Sequence, residues 1–181
     1  MSDPVAALNG AQSEGFVRVR EIGPVGMITL RAKPGTPGLA EAVKAASGCD
    51  LPQPRRITHQ GGMSCGWMSP DEYLLILPYH GVAAAMAALE GGLAGTHHLA
   101  ADVSDARAVF RIEGEKADQV LRKLSPADMD TVGEELRRSR LGQVAAAFWA
   151  GEGGYTVVCF RSVAGYVMGL LTHSALPGSE I

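Results

Sequence analysis

The pentapeptide Gly62-Met63-Ser64-Cys65-Gly66 has the spacing G-x-S-x-G. In α/β-hydrolases that spacing sets a serine on a sharp strand-to-helix turn, with its hydroxyl exposed as a nucleophile. Here a hairpin follows instead, and the matching stretch of the second half, Val144–Phe148, holds nothing similar. Short motifs arise by chance, so Ser64 is read as an ordinary strand residue. His97-His98 is the next arrangement with chemical potential. Adjacent side chains on a strand point to opposite faces, so the pair does not converge on one metal ion. His59, His80 and His173 stand alone, and neither HExxH nor paired CxxC occurs.

Gly91-Gly-Leu-Ala-Gly95 is glycine-rich but follows a helix, whereas a phosphate cradle must open one. It reads as a flexible helix-to-strand loop. Asp102 and Asp105 flank Ser104 and could exchange protons, but no lysine or histidine is placed to converge on them. A turn-capping role at a strand junction suits them better. Arg55-Arg56 and Arg137-Arg138-Ser-Arg140 are the basic clusters. Arginine pairs bidentately with carboxylates at interfaces, which makes Arg55, Arg56, Arg137 and Arg138 candidate partner contacts. A solvated strand edge accounts for them equally.

These residues must be positioned by a core. The chain has 181 residues, 46% of them hydrophobic but only 6% aromatic, with a formal net charge of −3. The length suits one domain or two small halves. The charge opposes nonspecific nucleic-acid binding, which needs a basic face. No run reaches the ~18 apolar residues of a membrane span. Three cysteines without CxxC spacing, and an N-terminus without a basic run leading into an apolar one, fit free thiols in a cytoplasmic protein. Residues 1–14 and the tail Pro177–Ile181 are small and polar and are expected to be disordered.

Strands are expected over Gly15–Ile22, Met27–Arg31, Tyr73–Leu77, Thr96–Val103, Val109–Ile112 and Tyr155–Phe160. Arg56–Trp67 and Arg138–Trp149 read as extended. Helices are expected over Leu39–Ser47, Val82–Leu89, Glu115–Leu124 and Ser162–Thr172, the first closed by Gly48. Ser69-Pro-Asp-Glu72 resembles a capping turn. Trp67 and Trp149 stand 82 residues apart, as do Tyr73 and Tyr155, Met86 and Met168, and Leu89 and Leu171. A period sustained without gaps from Val25 to Leu89 marks a duplicated unit. Each copy reads β-α-β-β-α-β, the ferredoxin-like arrangement. The second copy lacks its last strand, and residues 16–22 occupy that place when shifted by the period. The expected fold is α+β: two tandem ferredoxin-like units in one duplicated domain over 15–175, with halves of about 25–103 and 107–175 plus strand 16–22.

The run "ADVSDARAVFRIEGEKADQVLRKLSPADM" (Ala101–Met129) resembles the segment D-x-S…I-x-G-x-x-A…V-L of aminomethyltransferase-like, folate-binding domains. Together with "WMSPDEYLLIL", "RSRLGQVAAAFW" and "YTVVCFRSVAGYVMGLL", it resembles the gamma-subunit family of heterotetrameric sarcosine oxidases, over about Gly15 to Ala175. That resemblance implies a noncatalytic subunit working with alpha, beta and delta subunits in flavin-dependent oxidation of sarcosine. FAD, FMN, NAD and tetrahydrofolate are then expected in the partner subunits, and no catalytic, cofactor or metal residue in this chain. No activity is expected of the isolated chain. The alternative is a stand-alone folate-binding or aminomethyltransferase-related protein.

Overall fold

Two mostly apolar runs, "EYLLILP" and "GYTVVCF", form inner strands of two separate sheets. In the computed structural model, which describes residues 4–133 and 135–181, contacts divide the chain into two compact units. One is Val25–Ser104. The other joins the residues up to Pro24 with Asp105–Ile181.

The Val25–Ser104 unit runs β3 (Val25–Ala32), α1 (Leu39–Ser47), β4 (Ile57–Gln60), β5 (Met63–Ser69), β6 (Glu72–Pro78), α2 (Val82–Gly92) and β7 (His98–Asp102). Its sheet is antiparallel in the order β4-β5-β6-β3-β7. Alternate residues of β3, namely Ile28, Leu30 and Ala32, share a core with Leu39, Ala42 and Val43 of α1 and with Val82, Ala85 and Leu89 of α2. The period-2 and period-3.6 faces thus meet, and each fully buried aliphatic side chain stabilises by about 1.5–3 kcal/mol.

The other unit contains β1 (Gln12–Glu14), β2 (Arg18–Ile22), β8 (Arg107–Glu113), α3 (Ala117–Leu124), β9 (Arg137–Leu141), β10 (Val144–Gly151), β11 (Gly154–Phe160) and α4 (Ala164–Ser174). Its sheet order is β1-β2-β8-β11-β10-β9. Phe110 and Phe148 lie fully buried among Ile112, Val120, Leu121, Val157, Val167 and Leu171. Strand β2 lies antiparallel to β8, with Val19 opposite Ile112. In the Val25–Ser104 unit, β7 occupies that place beside β3, with Ala100 opposite Leu30. The order β7-β3-β6-β5 is repeated by β2-β8-β11-β10, so both sheets share the ferredoxin-like strand order with an added edge hairpin strand, although in the discontinuous unit the N-terminal β2 stands where the last strand of βαββαβ would be.

The period of 82 holds at both ends of β6 and β11, and of α2 and α4. It does not hold throughout. Leu39 and Ala117, the first residues of α1 and α3, stand 78 apart, because a longer loop precedes α1. The expectation of a gapless repeat fails there. Both helices still turn residues at i, i+3 and i+4 inward, and that face survives a shift of about one turn. Arg56–Trp67 is not one extended segment either. Gly61 and Gly62, at φ 56 and 80, form a two-residue turn between β4 and β5. Both central residues of such a hairpin turn need positive φ, which glycine adopts at no steric cost. Ser69–Glu72 closes the β5–β6 hairpin rather than capping a helix, and an irregularity between Trp67 and Ser69 places Trp67 opposite Tyr73. In the other hairpin Trp149 faces Thr156.

Residues 1–3 of the segment expected to be disordered lie outside the described residues. From Pro4 onward the chain is held by the β1–β2 pairing, by Arg161 donating to the Val5 and Ala6 carbonyls, and by one buried carboxylate. Glu21, only 5% exposed, accepts the Leu8 N–H at 2.9 Å and the Gly10 N–H at 2.9 Å. This leads the chain into β1, which pairs with β2. The tail is also held, as Lys123 donates to the Ser174 carbonyl at 2.8 Å and to Ser179, and the Ile181 N–H donates to Gln119 Oε1 at 3.0 Å.

Candidate functional site

Ser64 sits in the interior of β5, opposite Ile76 on one side and His59 on the other. It is a ladder residue, not an elbow serine, because its flanking backbone is committed to two neighbouring strands. His59, expected to be isolated, is not. Its Nδ1 lies 2.8 Å from Ser64 Oγ. The Gly61-Gly62 turn makes residues 59 and 64 direct cross-strand partners, a relation legible from the hairpin register once the turn is recognised. No carboxylate among the described residues is hydrogen-bonded to His59, so the pair lacks the third group that orients a catalytic base.

The other sequence candidates disperse. His97 is exposed, while His98 turns toward the Thr96 carbonyl at 3.2 Å and Glu90 at 3.5 Å. No group of three or more potential metal ligands occurs among the described residues. Gly91 and Gly92 are the last two residues of α2 rather than the start of the loop after it. Asp102 accepts the Ser104 N–H at 2.9 Å and its hydroxyl at 2.6 Å, and Ser104 Oγ in turn accepts the Met27 N–H at 2.9 Å. That chain of bonds ties the end of β7 to the start of β3, so Asp102 serves as a turn cap.

All three cysteines are free and buried. Burial pushes the Cys159 thiol up to about 11 and the Cys65 thiol higher still. A thiol held protonated is a poor nucleophile.

Arg55 and Arg56 are exposed immediately before β4, and Arg137 and Arg138 open β9. Both β4 and β9 are outermost strands of their sheets. Arg137 pairs with Glu135 at 2.5 Å and donates to Thr131 Oγ1 at 3.1 Å. The four arginines therefore form two separate groups, one in each unit. Arg138 and Arg140 are exposed along β9, where charge blunts edge-to-edge pairing.

Reading by motif missed one concavity. A cleft of about 580 Å³ lies in the discontinuous unit between the start of α3 and the β10–β11 turn. Gly114, Gly151, Gly153, Gly154 and Tyr155 line it, with Glu115 and Asp118. Asp118 pairs with Arg122 at 2.8 Å, and Arg122 reaches Asp130 at 2.5 Å. The Arg122 hydrogen bond holds Asp130 below the usual carboxylate range, and burial raises the Tyr155 phenol. The cleft thus carries one carboxylate paired with Arg122, Asp118, and a second, Glu115. Its signal in sequence was four glycines at the ends of hairpins and loops, where turns alone account for them. On the neighbouring strands, Arg20 grips both oxygens of Glu113 at 2.8–3.1 Å. Arg111 donates to Thr156 Oγ1 at 2.9 Å and to the Glu152 carbonyl at 2.6 Å. These are fixing contacts between strands, fully engaged with each other.

The family model described as sarcosine oxidase, gamma subunit family, matches residues 31–175. A sarcosine oxidase subunit gamma from an Arthrobacter species is 37% identical over 128 residues, which is 68% of this chain and 60% of that protein. One from Corynebacterium sp. strain U-96 is 35% identical over 128 residues, covering 68% and 61%. The chain thus spans about 60% of the length of these curated relatives. Among solved structures, heterotetrameric sarcosine oxidase from Corynebacterium sp. U-96 in complex with pyrrole 2-carboxylate is similar at a TM-score of 0.80 and 27% identity, over 91% of this chain and 87% of that one. Glycine cleavage system aminomethyltransferase T from Bartonella henselae matches at 0.66 and 14% identity, over 87% of this chain and 45% of that one, a likeness of fold alone.

Proposed function

Because the chain belongs to the sarcosine oxidase gamma subunit family, we propose that it is the noncatalytic gamma subunit of a heterotetrameric sarcosine oxidase. It acts by contact with alpha, beta and delta subunits. FAD, FMN, NAD and tetrahydrofolate reside in those partners, which carry out the oxidative demethylation of sarcosine in the cytoplasm. No helix of the described residues is long and apolar enough to cross a membrane. The observation that carries the reading is the likeness to a heterotetrameric sarcosine oxidase at a TM-score of 0.80 over 91% of the chain. The dispersed polar groups support it, since Ser64, His59, Asp102 and the arginines are each absorbed into strand registers, turns or edges. Arg55, Arg56, Arg137 and Arg138 are the proposed points of contact with partner carboxylates. A stand-alone folate-binding or aminomethyltransferase-related protein has weaker support, because its likeness is one of fold at 14% identity.

The test is co-expression of the tagged chain with the three partner subunits. A yellow complex that is captured through this tag and produces peroxide from sarcosine is expected. A flavin-loaded, sarcosine-oxidising assembly that forms without this chain and never co-purifies with it would refute the assignment.

A further inference from the structure

The two units differ at one edge. In the discontinuous unit, β2 is covered on its outer side by β1, with Ser13 opposite Val19 and the Glu21 N–H donating to the Ala11 carbonyl at 2.8 Å. In the Val25–Ser104 unit, β7 holds the same place, and no strand of the described residues pairs with its outer side. The registers show which groups face outward. The Val103 N–H donates to Met27 directly opposite it. In an antiparallel pair bonded and non-bonded positions alternate, so Leu99 and Ala101 also bond to β3. Ala100 and Asp102 therefore direct their backbone N–H and C=O groups away from the sheet. They are the counterparts of Val19 and Glu21, the residues that receive β1.

Edge strands left open in a soluble protein carry lysine, proline or other charge as protection. Strand β9 has Arg137, Arg138 and Arg140. Strand β7 reads His-Leu-Ala-Ala-Asp, without proline or lysine, and Leu99 is 57% exposed. From Glu90 to Ser104 the chain carries Glu90 and Asp102 and neither Lys nor Arg, so what meets this edge is favoured by positive charge.

We propose that the open edge of β7 receives an extended, basic-flanked segment of a partner subunit, which adds antiparallel to β7 as β1 adds to β2. This deepens the gamma-subunit reading and rests on it. The main-chain groups of Ala100 and Asp102 supply the hydrogen bonds, and the exposed Leu99 side chain gives the incoming strand an apolar neighbour.

The experiment compares hydrogen exchange of peptides spanning His97–Val103 in the free chain and in the co-purified complex. Protection in the complex should rise at least about tenfold, with β3 peptides unchanged. Ala100→Pro removes an outward N–H without touching the β3 ladder. Leu99→Lys removes the apolar neighbour and sets a positive charge against the basic segment at an exposed site. Both should leave the free chain folded and lower recovery of the complex at least about tenfold. If Ala100→Pro fails to fold, the exposed Leu99→Lys variant and the exchange data still decide. An intact complex in which His97–Val103 exchanges as fast as in the free chain overturns this inference and leaves the subunit assignment standing. Protection that grows with concentration of the free chain identifies a second copy as the occupant and also overturns it. A chain that never co-purifies with the partners overturns both.

Discussion

Replacing Glu21 by alanine should release the N-terminal segment. The carboxylate is buried to 5% exposure and accepts two backbone N–H groups, from Leu8 and Gly10, through three contacts of 2.9–3.0 Å. A hydrogen bond to a charged group is worth about 1.5–3 kcal/mol net, so two donors set an upper bound of roughly 3–6 kcal/mol. The segment escapes part of that penalty by detaching, after which water satisfies the freed amides. What is then lost is its docking: the β1 pairing with β2, the packing of Ala7 and Leu8, and the Arg161 bond to the Val5 carbonyl at 2.9 Å. The expected destabilisation is about 2–3 kcal/mol. At about 2–4 °C per kcal/mol for a chain of this size, the midpoint of thermal unfolding falls by about 5–10 °C. Glu21→Gln keeps one acceptor oxygen and should lose about half as much. Thermal unfolding with parallel hydrogen exchange reads both effects, and exchange should accelerate first at Leu8–Glu14. An unchanged midpoint, with those amides as protected as in the parent, would refute the argument that Glu21 organises this segment.

Gly154→Ala should destabilise the discontinuous unit by about 2–4 kcal/mol in urea titration, because the added Cβ would lie 1.9 Å from the Ile112 carbonyl oxygen; a neutral result would show that the β8–β11 pairing relaxes freely. Glu113, lowered chiefly by its hydrogen bond to Arg20, contributes stability above the ordinary glutamate value of 4.5 and loses it as pH falls through its depressed folded value. The difference between parent and Glu113→Gln should therefore be about 0.2–1 kcal/mol at pH 7 and close to zero at pH 2, since the pair is partly exposed. A thiol-disulfide exchange reagent at pH 8 should leave Cys49, Cys65 and Cys159 unmodified in the folded chain and titrate all three in denaturant; labelling within seconds under native conditions would contradict their burial.

The features legible in sequence are those with strong local signals. The apolar runs of β6 and β11 and the helices after them recur 82 residues apart because each is set by its own composition. The displaced start of α3 was not legible, since a helix moved by about one turn presents the same face. The order at Leu8–Glu14 was hidden because it depends on Glu21, a residue whose charge in the middle of a strand looks like a solvated one. The cleft at Tyr155 escaped notice because glycines at hairpin ends carry no chemical signature of their own. The edge arginines were visible, and their separation by the same 82 residues already placed one pair in each half.

The interleaved order of the two units also sets a timetable for synthesis. Residues 25–104 form a contiguous unit that is complete as soon as β7 leaves the ribosome. Strand β2 has emerged by then, yet its partner β8 has not. At about 5–20 residues per second, Arg18 and Val19 wait roughly 5–20 s before their partners Glu113 and Ile112 are made. Throughout that interval a short apolar strand is a template for aggregation. The alternation with Arg18 and Arg20 places a guanidinium beside each valine, so Arg20, which later fastens β2 to Glu113, acts first with Arg18 as a gatekeeper of the nascent chain.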